Sequence, residues 1–479
     1  MPIVLYDTLT RCKREFQPID EECVKVYVCG PTVYAEPHIG NARPAVVFDV
    51  LVRLLRRNYP KVKYVRNITD VDDKILAAAT KSNTPPREIV QKFTRVYHRN
   101  MRSLRVERPD VEPKVTDNMD AIIAMIVRLL EEGHAYEVEG HVLFDVTSYE
   151  SYGELSNRDR EGMIAGARVE TAPYKRDPAD FVLWKPSVLE QAGWKSPWGQ
   201  GRPGWHIECS AMIKKHLGET IDIHGGGADL IFPHHENECA QSFCVHGKPL
   251  SNYWMHNGFV TLKADKISKS EGNVITVDNL LNNYQGETLR LSLLSAHYRK
   301  PLNWNKNLTV QSRFRLGFLY KVVKEARGGE NPVNIDANLA SGAVVQALED
   351  DLNTPKALQE LFSLAQKVHR AEDASEKRRL GDELVASGSL LGLLRVTSRE
   401  WFEREESYIK SRADIARLLH AEGVSSIEEY VDNRNRARDR GDYAKADRMR
   451  DKLASLGIIL EDRADGTTEW SIGQKVETE

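Results

Sequence analysis

A strand, a sharp turn and a helix follow one another near the start of the chain, and this order restricts the fold more than any other feature. Val24, Val26 and Val28 recur at the two-residue period of a strand. Gly30-Pro31 then breaks the strand. Apolar residues between positions 46 and 55 recur at helical spacing. The pattern predicts the first unit of a dinucleotide-type α/β fold.

The turn between this strand and helix carries polar groups suited to a nucleotide. His38, Gly40 and Asn41 lie at the start of the helix, where free N–H groups and the helix dipole attract anions. Gly40 has no side chain, so a flat ring such as adenine can approach the backbone. Taken alone, a His-x-Gly sequence is more typical of a polar helix cap.

A second basic segment stands far from the first, between a predicted strand and a helix that starts near Asp278. Its sequence is Lys266-Ile267-Ser268-Lys269-Ser270. Two lysines three residues apart suit a loop that closes on a triphosphate, because lysine acts as a point charge on a flexible stem. By itself, such a segment is more typical of a solvated basic turn.

Together, the two segments resemble the paired signatures of class I aminoacyl-tRNA synthetases, His-Ile-Gly-His and Lys-Met-Ser-Lys-Ser. The chain departs from them at Asn41 and at Ile267, which keep a polar and an apolar side chain respectively. The resemblance implies that His38, Asn41, Lys266 and Lys269 are catalytic. It also implies that His38, Gly40, Ser268 and Lys269 bind ATP, accompanied by Mg²⁺.

Potential metal ligands lie in three separate segments. Cys29 ends the first strand, and Cys209 belongs to a second strand–helix unit. His234 and Glu238 are four residues apart, so they share one face of a predicted helix. Strand ends converge on one crevice in a parallel sheet, and two Cys, one His and one Glu make a plausible tetrahedral zinc shell. From spacing alone, a buried core cysteine and a capping histidine such as His235 remain as alternatives.

These segments resemble cysteinyl-tRNA synthetases in particular. The resemblance implies that Cys29, Cys209, His234 and Glu238 hold one Zn²⁺ per chain, which binds the substrate thiolate. It also implies an amino-acid site, whose expected residues are Thr69, Trp205, His224 and Asp229. The implied reaction activates L-cysteine with ATP and transfers it to the 3′-terminal adenosine of tRNA(Cys).

A glycine pattern elsewhere could be mistaken for a cofactor site. Gly199-x-Gly201-x-x-Gly204 formally matches a dinucleotide fingerprint. We reject that interpretation because no strand is predicted before it and Pro203 lies inside it. A loop rigidified by Trp194, Trp198 and Trp205 is expected instead.

The second half of the chain is dominated by helical patterns. The segment between residues 351 and 358 resembles the start of the family's anticodon-side helical bundle. Near the C-terminus, basic residues exceed acidic ones locally, and the ring of Trp470 offers a stacking surface for an unpaired base. Arg434, Arg438 and Trp470 are therefore candidate tRNA contacts, although a solvated charged face is the usual reason for such a helix.

We therefore expect an α/β fold with a class I synthetase Rossmann-type parallel sheet, an inserted connective region, an α-helical bundle and a small C-terminal α+β domain. The expected boundaries are 1–115 for the first half of the catalytic domain, 116–200 for the insertion, 201–305 for the second half, 306–395 for the bundle and 396–479 for the anticodon-binding domain.

Composition restricts where the protein works. Lys and Arg total 67 against 70 for Asp and Glu, so a tRNA site must be a local patch. No apolar run approaches the roughly 18 residues of a membrane span, and the first residues lack a signal-peptide pattern. Six cysteines are too few for a disulfide scaffold. We expect a cytoplasmic monomer that does not contact membranes.

Two other functions fit parts of the sequence. A ligase that joins cysteine to an amino sugar would share the crevice and the zinc, but it would not need the basic C-terminal segment. A non-catalytic zinc-containing RNA-binding protein would not need both phosphate-binding segments.

Overall fold

The candidate site is built on a parallel sheet of four strands. The computed structural model describes residues 2–159, 162, 173–187, 193–262, 265–266, 274–328, 335–410, 413–456, 458–463 and 468–472. The strands within these ranges are β1 Val4–Asp7, β2 Cys12–Glu15, β3 Val24–Val28, β4 Val62–Arg66, β5 Ala135–Val138, β6 His141–Phe144, β7 Phe181–Pro186, β8 Trp194–Ser196, β9 Gly199–Pro203, β10 Ile221–Gly227, β11 Ser251–Asn257, β12 Val260–Leu262, β13 Asp265–Lys266, β14 Leu302–Asn303, β15 Ile458–Asp462 and β16 Thr468–Ile472.

Helices make up most of the remaining regular structure. They are α1 Ile39–Asn58, α2 Asp73–Ser82, α3 Pro86–Ser103, α4 Met119–Glu131, α5 Trp205–His216, α6 Glu236–His246, α7 Val277–Leu281, α8 Gly286–Leu294, α9 Lys306–Arg327, α10 Gly342–Glu349, α11 Thr354–Arg370, α12 Ala374–Leu390, α13 Ser398–Lys410, α14 Ala413–Ala421, α15 Ile427–Asp439 and α16 Tyr443–Ser455. None of these helices combines the length and the apolar composition that a membrane crossing requires.

The central sheet has the order β11-β10-β3-β4, with every neighbouring pair parallel. The chain passes from β3 through α1 to β4, so the predicted strand–turn–helix unit is confirmed. The apolar face of α1 is fully buried against the sheet, with Val46, Val50, Leu51, Leu54 and Leu55 at 0% exposure. Burial of such a face is the main source of helix stability. The carboxyl ends of the four strands therefore meet at one edge.

The inserted region contains an antiparallel sheet of five strands in the order β5-β6-β7-β9-β8. Strands β5 and β6 form an antiparallel hairpin. The expected tryptophan-rich loop is wrong, because Trp194 lies in β8 and Trp205 begins α5. The glycines and the proline of β9 have a low strand propensity, but the pairing of β9 with β7 outweighs it.

The glycines of the rejected fingerprint have a packing role in this sheet. A Cβ atom on Gly204 would meet the Val182 carbonyl oxygen at 1.8 Å, and one on Gly201 would meet Trp184 Nε1 at 2.4 Å. These glycines therefore permit close packing of neighbouring strands. Close packing in the sheet is thus a sufficient reason for glycine at both positions.

Helices α9 to α13 pack against one another, and α10 and α12 also contact α1. Helix α13 extends this packing beyond residue 395. The Trp401 ring stacks on Tyr320 of α9 with centroids 5.0 Å apart. Arg313 of α9 pairs with the buried carboxylate of Glu405. A smaller unit follows, in which α14, α15 and α16 surround a core with the β15–β16 hairpin.

Candidate active site

A cavity of about 410 Å³ opens at the carboxyl edge of the central sheet. Its wall contains residues that follow β3, the start of α1, and the ends of β10 and β11. Six of the residues predicted from sequence line it, namely Cys29, His38, Gly40, Asn41, Trp205 and Asp229. Residues about 200 positions apart in the chain therefore line the same cavity.

The turn before α1 orients His38. His38 is the N-cap residue, and its Nδ1 accepts the backbone N–H of Asn41 at 3.3 Å. Asn41 Oδ1 accepts the backbone N–H of His38 at 3.1 Å, so the two residues form a reciprocal capping box. A Cβ atom on Gly40 would lie 2.9 Å from His38 Nδ1. A side chain at position 40 would therefore collide with the His38 imidazole.

Gly30 makes a similarly close approach between neighbouring strand ends. Its N–H donates to Asn67 Oδ1 at 2.8 Å, and a Cβ atom would lie only 1.6 Å from the Asn67 carbonyl oxygen. No other amino acid fits there without moving the backbone that carries Cys29.

The basic segment is attached next to this turn. Ile39 N–H donates to the Ile275 carbonyl at 3.0 Å, and Val277 N–H donates to the Pro37 carbonyl at 3.0 Å. Lys266 lies in β13, whose backbone pairs with Thr261. Ser268 and Lys269 lie outside the described residues. The chain on either side of the lysine segment thus connects to strand β12 and to the His38 turn.

The four predicted zinc ligands come together beside the cavity. The ligand atoms of Cys29, Cys209, His234 and Glu238 all lie within 4.8 Å of one another. Cys29 Sγ is 3.7 Å from Cys209 Sγ and 3.5 Å from Glu238 Oε1, and His234 Nε2 is 3.1 Å from Glu238 Oε1.

These separations suit a tetrahedral metal. Zinc bonds of the usual length place two sulfur ligands about 3.8 Å apart, and a sulfur and an oxygen ligand about 3.5 Å apart. Burial raises the pKa of the Cys29 thiol well above its usual value, and the neighbouring Cys209 and Glu238 raise it further. Without a cation the Cys29 thiol therefore stays protonated, whereas a bound metal ion would offset the charges of its deprotonated ligands. The donor set of two Cys, one His and one Glu fits zinc.

Other histidines surround these ligands. His224 Nε2 lies 2.8 Å from Glu238 Oε2, and His206 Nδ1 lies 2.9 Å from His234 Nδ1. Burial lowers the pKa of His206 to about 3 and lowers that of His234 well below its usual value. Both imidazoles are therefore neutral, which is the form that binds metals. Contacts of this kind fix ligand orientation.

His235 stands at the N-cap position of α6, but its side chain contributes to the cluster. It makes no side-chain cap bond to α6. Its Nε2 lies 3.3 Å from Cys29 Sγ and its Nδ1 lies 2.8 Å from His256 Nε2. With Cys29, His224 and Glu238, it forms a second group of suitable metal ligands. Sequence reasoning missed this role, although its position beside His234 was a signal.

The residues expected to bind the amino acid take two positions. Trp205 is 39% exposed, lines the cavity, and stacks on the His234 ring with centroids 4.2 Å apart. Asp229 lines the same cavity. Thr69 and His224 are buried behind the wall, where Thr69 Oγ1 accepts from Asn67 Nδ2 at 3.1 Å.

The candidate tRNA contacts near the C-terminus are partly used within the protein. Arg434 is only 2% exposed and pairs with both carboxylate oxygens of Asp462, at 2.6 and 3.0 Å. Arg438 also contacts Asp462, with 42% of its side chain exposed. Trp470 in β16 packs on the core of this unit. Arg434 is therefore buried, whereas Arg438 and Trp470 are more accessible.

Sequence reasoning also missed one wall of the cavity. Tyr34, Arg66, Lys74, Phe93 and Tyr97 line it on the side of α2 and α3. A signal was present, because Arg66 ends strand β4 just as Val28 ends β3, next to Cys29.

Comparison with known proteins gives consistent matches over the chain. The family described as "tRNA synthetases class I (C) catalytic domain" matches residues 15–313. A DALR domain matches residues 343–395, and a "Cysteinyl-tRNA ligase anticodon binding domain" matches residues 426–470.

Individual relatives agree with these families. A protein of Parvibaculum lavamentivorans named "Cysteine--tRNA ligase" is 52% identical over 98% of this chain and 98% of its own length. One of the same name from Maricaulis maris is 50% identical over 97% of this chain and 98% of its own. Among solved structures, a Mycobacterium tuberculosis methionyl-tRNA synthetase in complex with methionyl-adenylate has the same fold, with a TM-score of 0.55 and 16% identity over 77% of this chain and 89% of that one.

Proposed function

The chain belongs to the cysteine–tRNA ligase family of class I synthetases, and on that basis we propose which of its residues and which metal carry out the reaction. The protein activates L-cysteine with ATP and transfers the cysteinyl group to tRNA. The observation that carries the assignment of residues is the meeting of Cys29, Cys209, His234 and Glu238 beside the cavity that His38 lines.

We propose that these four residues hold one zinc ion. When bound, zinc would supply a soft Lewis acid that favours a thiolate over an alcohol. Glu238 and His234 are held by His224 and His206, so the protein fixes the orientation of two of the four ligands. We assign Trp205 and Asp229 to direct contact with the amino acid. Thr69 and His224 support that site from behind.

The first step is an in-line displacement at phosphorus. A carboxylate oxygen of cysteine attacks the α-phosphorus of ATP, an O–P bond forms, and the bond to the β-phosphate breaks as pyrophosphate leaves. Catalysis of this kind depends on positioning and on charge neutralisation. We propose that His38, Asn41 and Gly40 position the nucleotide at the N-terminus of α1. Lys266, Ser268 and Lys269 would act on the phosphates, accompanied by Mg²⁺.

The second step forms the ester. A hydroxyl of the terminal tRNA ribose attacks the carbonyl carbon of cysteinyl-adenylate, its proton is released, and AMP leaves. At the other end of the tRNA, we propose that Arg438 and Trp470 contact the anticodon region. Arg434 would serve by holding Asp462 and the β15–β16 hairpin in place. We also propose that the enzyme works as a cytoplasmic monomer.

Two assays test this function. ATP–pyrophosphate exchange that depends on cysteine should be observed, and a transcript of tRNA(Cys) should be charged. Exchange without charging would favour the amino-sugar ligase, and the absence of both would favour the RNA-binding protein. The match of residues 426–470 to an anticodon-binding domain already disfavours the amino-sugar ligase, which has no need of one.

A further inference from the structure

The cavity has one wall to which neither the predicted nucleotide site nor the zinc site gives a role. It consists of Tyr34, Arg66, Lys74, Phe93 and Tyr97. Arg66 stands out because it is 3% exposed and still lines the cavity. A buried charge without an ion-pair partner is costly, so its position needs an explanation.

Arg66 makes little use of its guanidinium within the protein. Nη1 donates to Tyr64 Oη at a long 3.4 Å, and the buried Nε has no hydrogen-bond partner. No carboxylate of a described residue forms an ion pair with it. Glu112 is near enough to act on its charge, but Glu112 Oε2 contacts His98 Nε2 at 2.6 Å instead.

The surroundings of Arg66 are aromatic. Its guanidinium carbon lies 5.5 Å from the ring centre of Tyr97 and 5.9 Å from that of Tyr64. Further out, Lys74 Nζ lies 5.8 Å from the ring centre of Tyr34. Cations alternating with aromatic rings are typical of sites for single-stranded nucleic acid, where phosphates meet the charges and bases stack on the rings.

We infer that this wall binds the 3′ end of the tRNA, with Arg66 contacting a phosphate of the terminal nucleotides and Tyr34 or Phe93 offering a surface for an unpaired base. The inference rests on the proposed function, since only a tRNA-charging enzyme must admit this strand. The wall shares one cavity with Cys29 and His38, so a strand bound there reaches the site of adenylate formation. Arginine suits the contact because its fork of donors matches phosphate oxygens.

The first experiment separates the two steps of the reaction in Arg66→Gln. Single-turnover transfer from preformed cysteinyl-adenylate should fall by about tenfold or more relative to any change in pyrophosphate exchange, which is the expected loss of one charge-assisted hydrogen bond. Arg95→Gln, an exposed change on the same helix as Tyr97, is the control. An equal loss in both steps would assign Arg66 to ATP or cysteine and overturn the inference. Absence of both activities in the unsubstituted protein would instead refute the proposed function.

The second experiment measures binding of the strand itself. The dissociation constants of tRNA(Cys) and of the same transcript lacking its last three nucleotides should differ in the unsubstituted enzyme. That difference should shrink in Arg66→Gln, together with a decrease of about 0.7 in the slope of log Kd against log salt for one single-strand phosphate. If the variant keeps the full difference, Arg66 does not bind the 3′ end.

A third measurement excludes a merely structural role. Replacing an unpaired buried charge by an apolar group is often neutral or stabilising, so Arg66→Met should melt no lower than the unsubstituted enzyme while losing transfer. A lower melting temperature with retained transfer would overturn the inference. Lys74→Gln changes an exposed residue, so it tests the same wall even if Arg66 variants fold poorly. It should slow transfer more than exchange, and an equal effect on both would contradict the inference.

Discussion

His38 and Asn41 hold each other through two reciprocal hydrogen bonds at the start of α1. His38 Nδ1 accepts the Asn41 backbone N–H at 3.3 Å, and Asn41 Oδ1 accepts the His38 backbone N–H at 3.1 Å. Because Nδ1 is an acceptor, the neutral imidazole carries its proton on Nε2. The ring is thereby fixed as a hydrogen-bond donor through Nε2.

The first prediction follows from this pair. Asn41→Ala should lower the free energy of unfolding by about 1 kcal/mol, because one capping contact is lost. It should also lower kcat/KM for exchange, since the His38 backbone is no longer held. Asn41→Asp keeps the capping acceptor but places a negative charge near the phosphates, so it should retain stability and raise KM for ATP. Denaturant titration and exchange kinetics check both variants, and normal kinetics in both would contradict the prediction.

The second prediction concerns the lysine segment. Lys269→Ala should slow adenylate formation far more than it weakens cysteine binding, because the lysine meets charge that develops in the transition state. Lys321→Ala, an exposed change on α9, is a matched control for loss of a positive charge. A variant with a normal rate and only a raised KM for cysteine would remove Lys269 from this role.

The third prediction concerns where the chain can be shortened. A protein ending at Lys410 should retain exchange but charge tRNA poorly, because it keeps the cavity and lacks the C-terminal unit. A protein ending at Arg395 should be less stable by about 3–5 kcal/mol, since the loss of Glu405 leaves Arg313 buried without its partner. Charging at the full rate by the first protein would show that the C-terminal unit does not read the anticodon.

The fourth prediction concerns the metal. The enzyme should contain one zinc per chain, and Cys209→Ser should reduce this content, whereas Cys12→Ser at an exposed position should not. Metal analysis and zinc-edge absorption with and without cysteine provide the measurement. An absent metal, or no new zinc–sulfur contact when cysteine is added, would refute the site.

The fifth prediction concerns specificity. Serine is nearly isosteric with cysteine, and an apolar pocket separates such pairs by only about a hundredfold. A thiolate is a much better zinc ligand than a neutral hydroxyl. We therefore expect kcat/KM for exchange to favour cysteine by more than roughly 10⁴ without hydrolysis of seryl-tRNA. Use of serine within about a hundredfold of cysteine would contradict a metal-based selection.

The parts of the fold that depend on local sequence could be predicted. The period of Val24, Val26 and Val28, and the helix after His38, needed no knowledge of the rest of the chain. The antiparallel strand at Gly199–Pro203 was missed because its glycines and proline oppose strand formation locally. Pairing with both β7 and β8 makes it a strand despite that local preference.

The candidate site shows the same limit. Cys29 and Cys209 are 180 residues apart, and spacing alone could not bring them together, so their assignment depended on the family resemblance. Arg66 and His235 were missed because their significance comes from what surrounds them. The sequence does not show that Arg66 is buried without a carboxylate partner, or that His235 lies beside the Cys29 thiol.

The order of strands in the central sheet has a consequence for synthesis of the protein. Strand β3 pairs with β10, and Ile223 lies opposite Val26, which precedes it by 197 positions in the sequence (223 − 26). At roughly 5–20 residues per second on the ribosome, Cys29 is made roughly ten seconds or more before Cys209, and His234 and Glu238 follow later still. The early strand must wait with one edge unpaired, and the four residues of the proposed metal site cannot meet until the inserted region has emerged. On the zinc site proposed above, uptake of the ion belongs to the end of catalytic-domain folding, and a chain interrupted before residue 238 has no complete set of the four ligands.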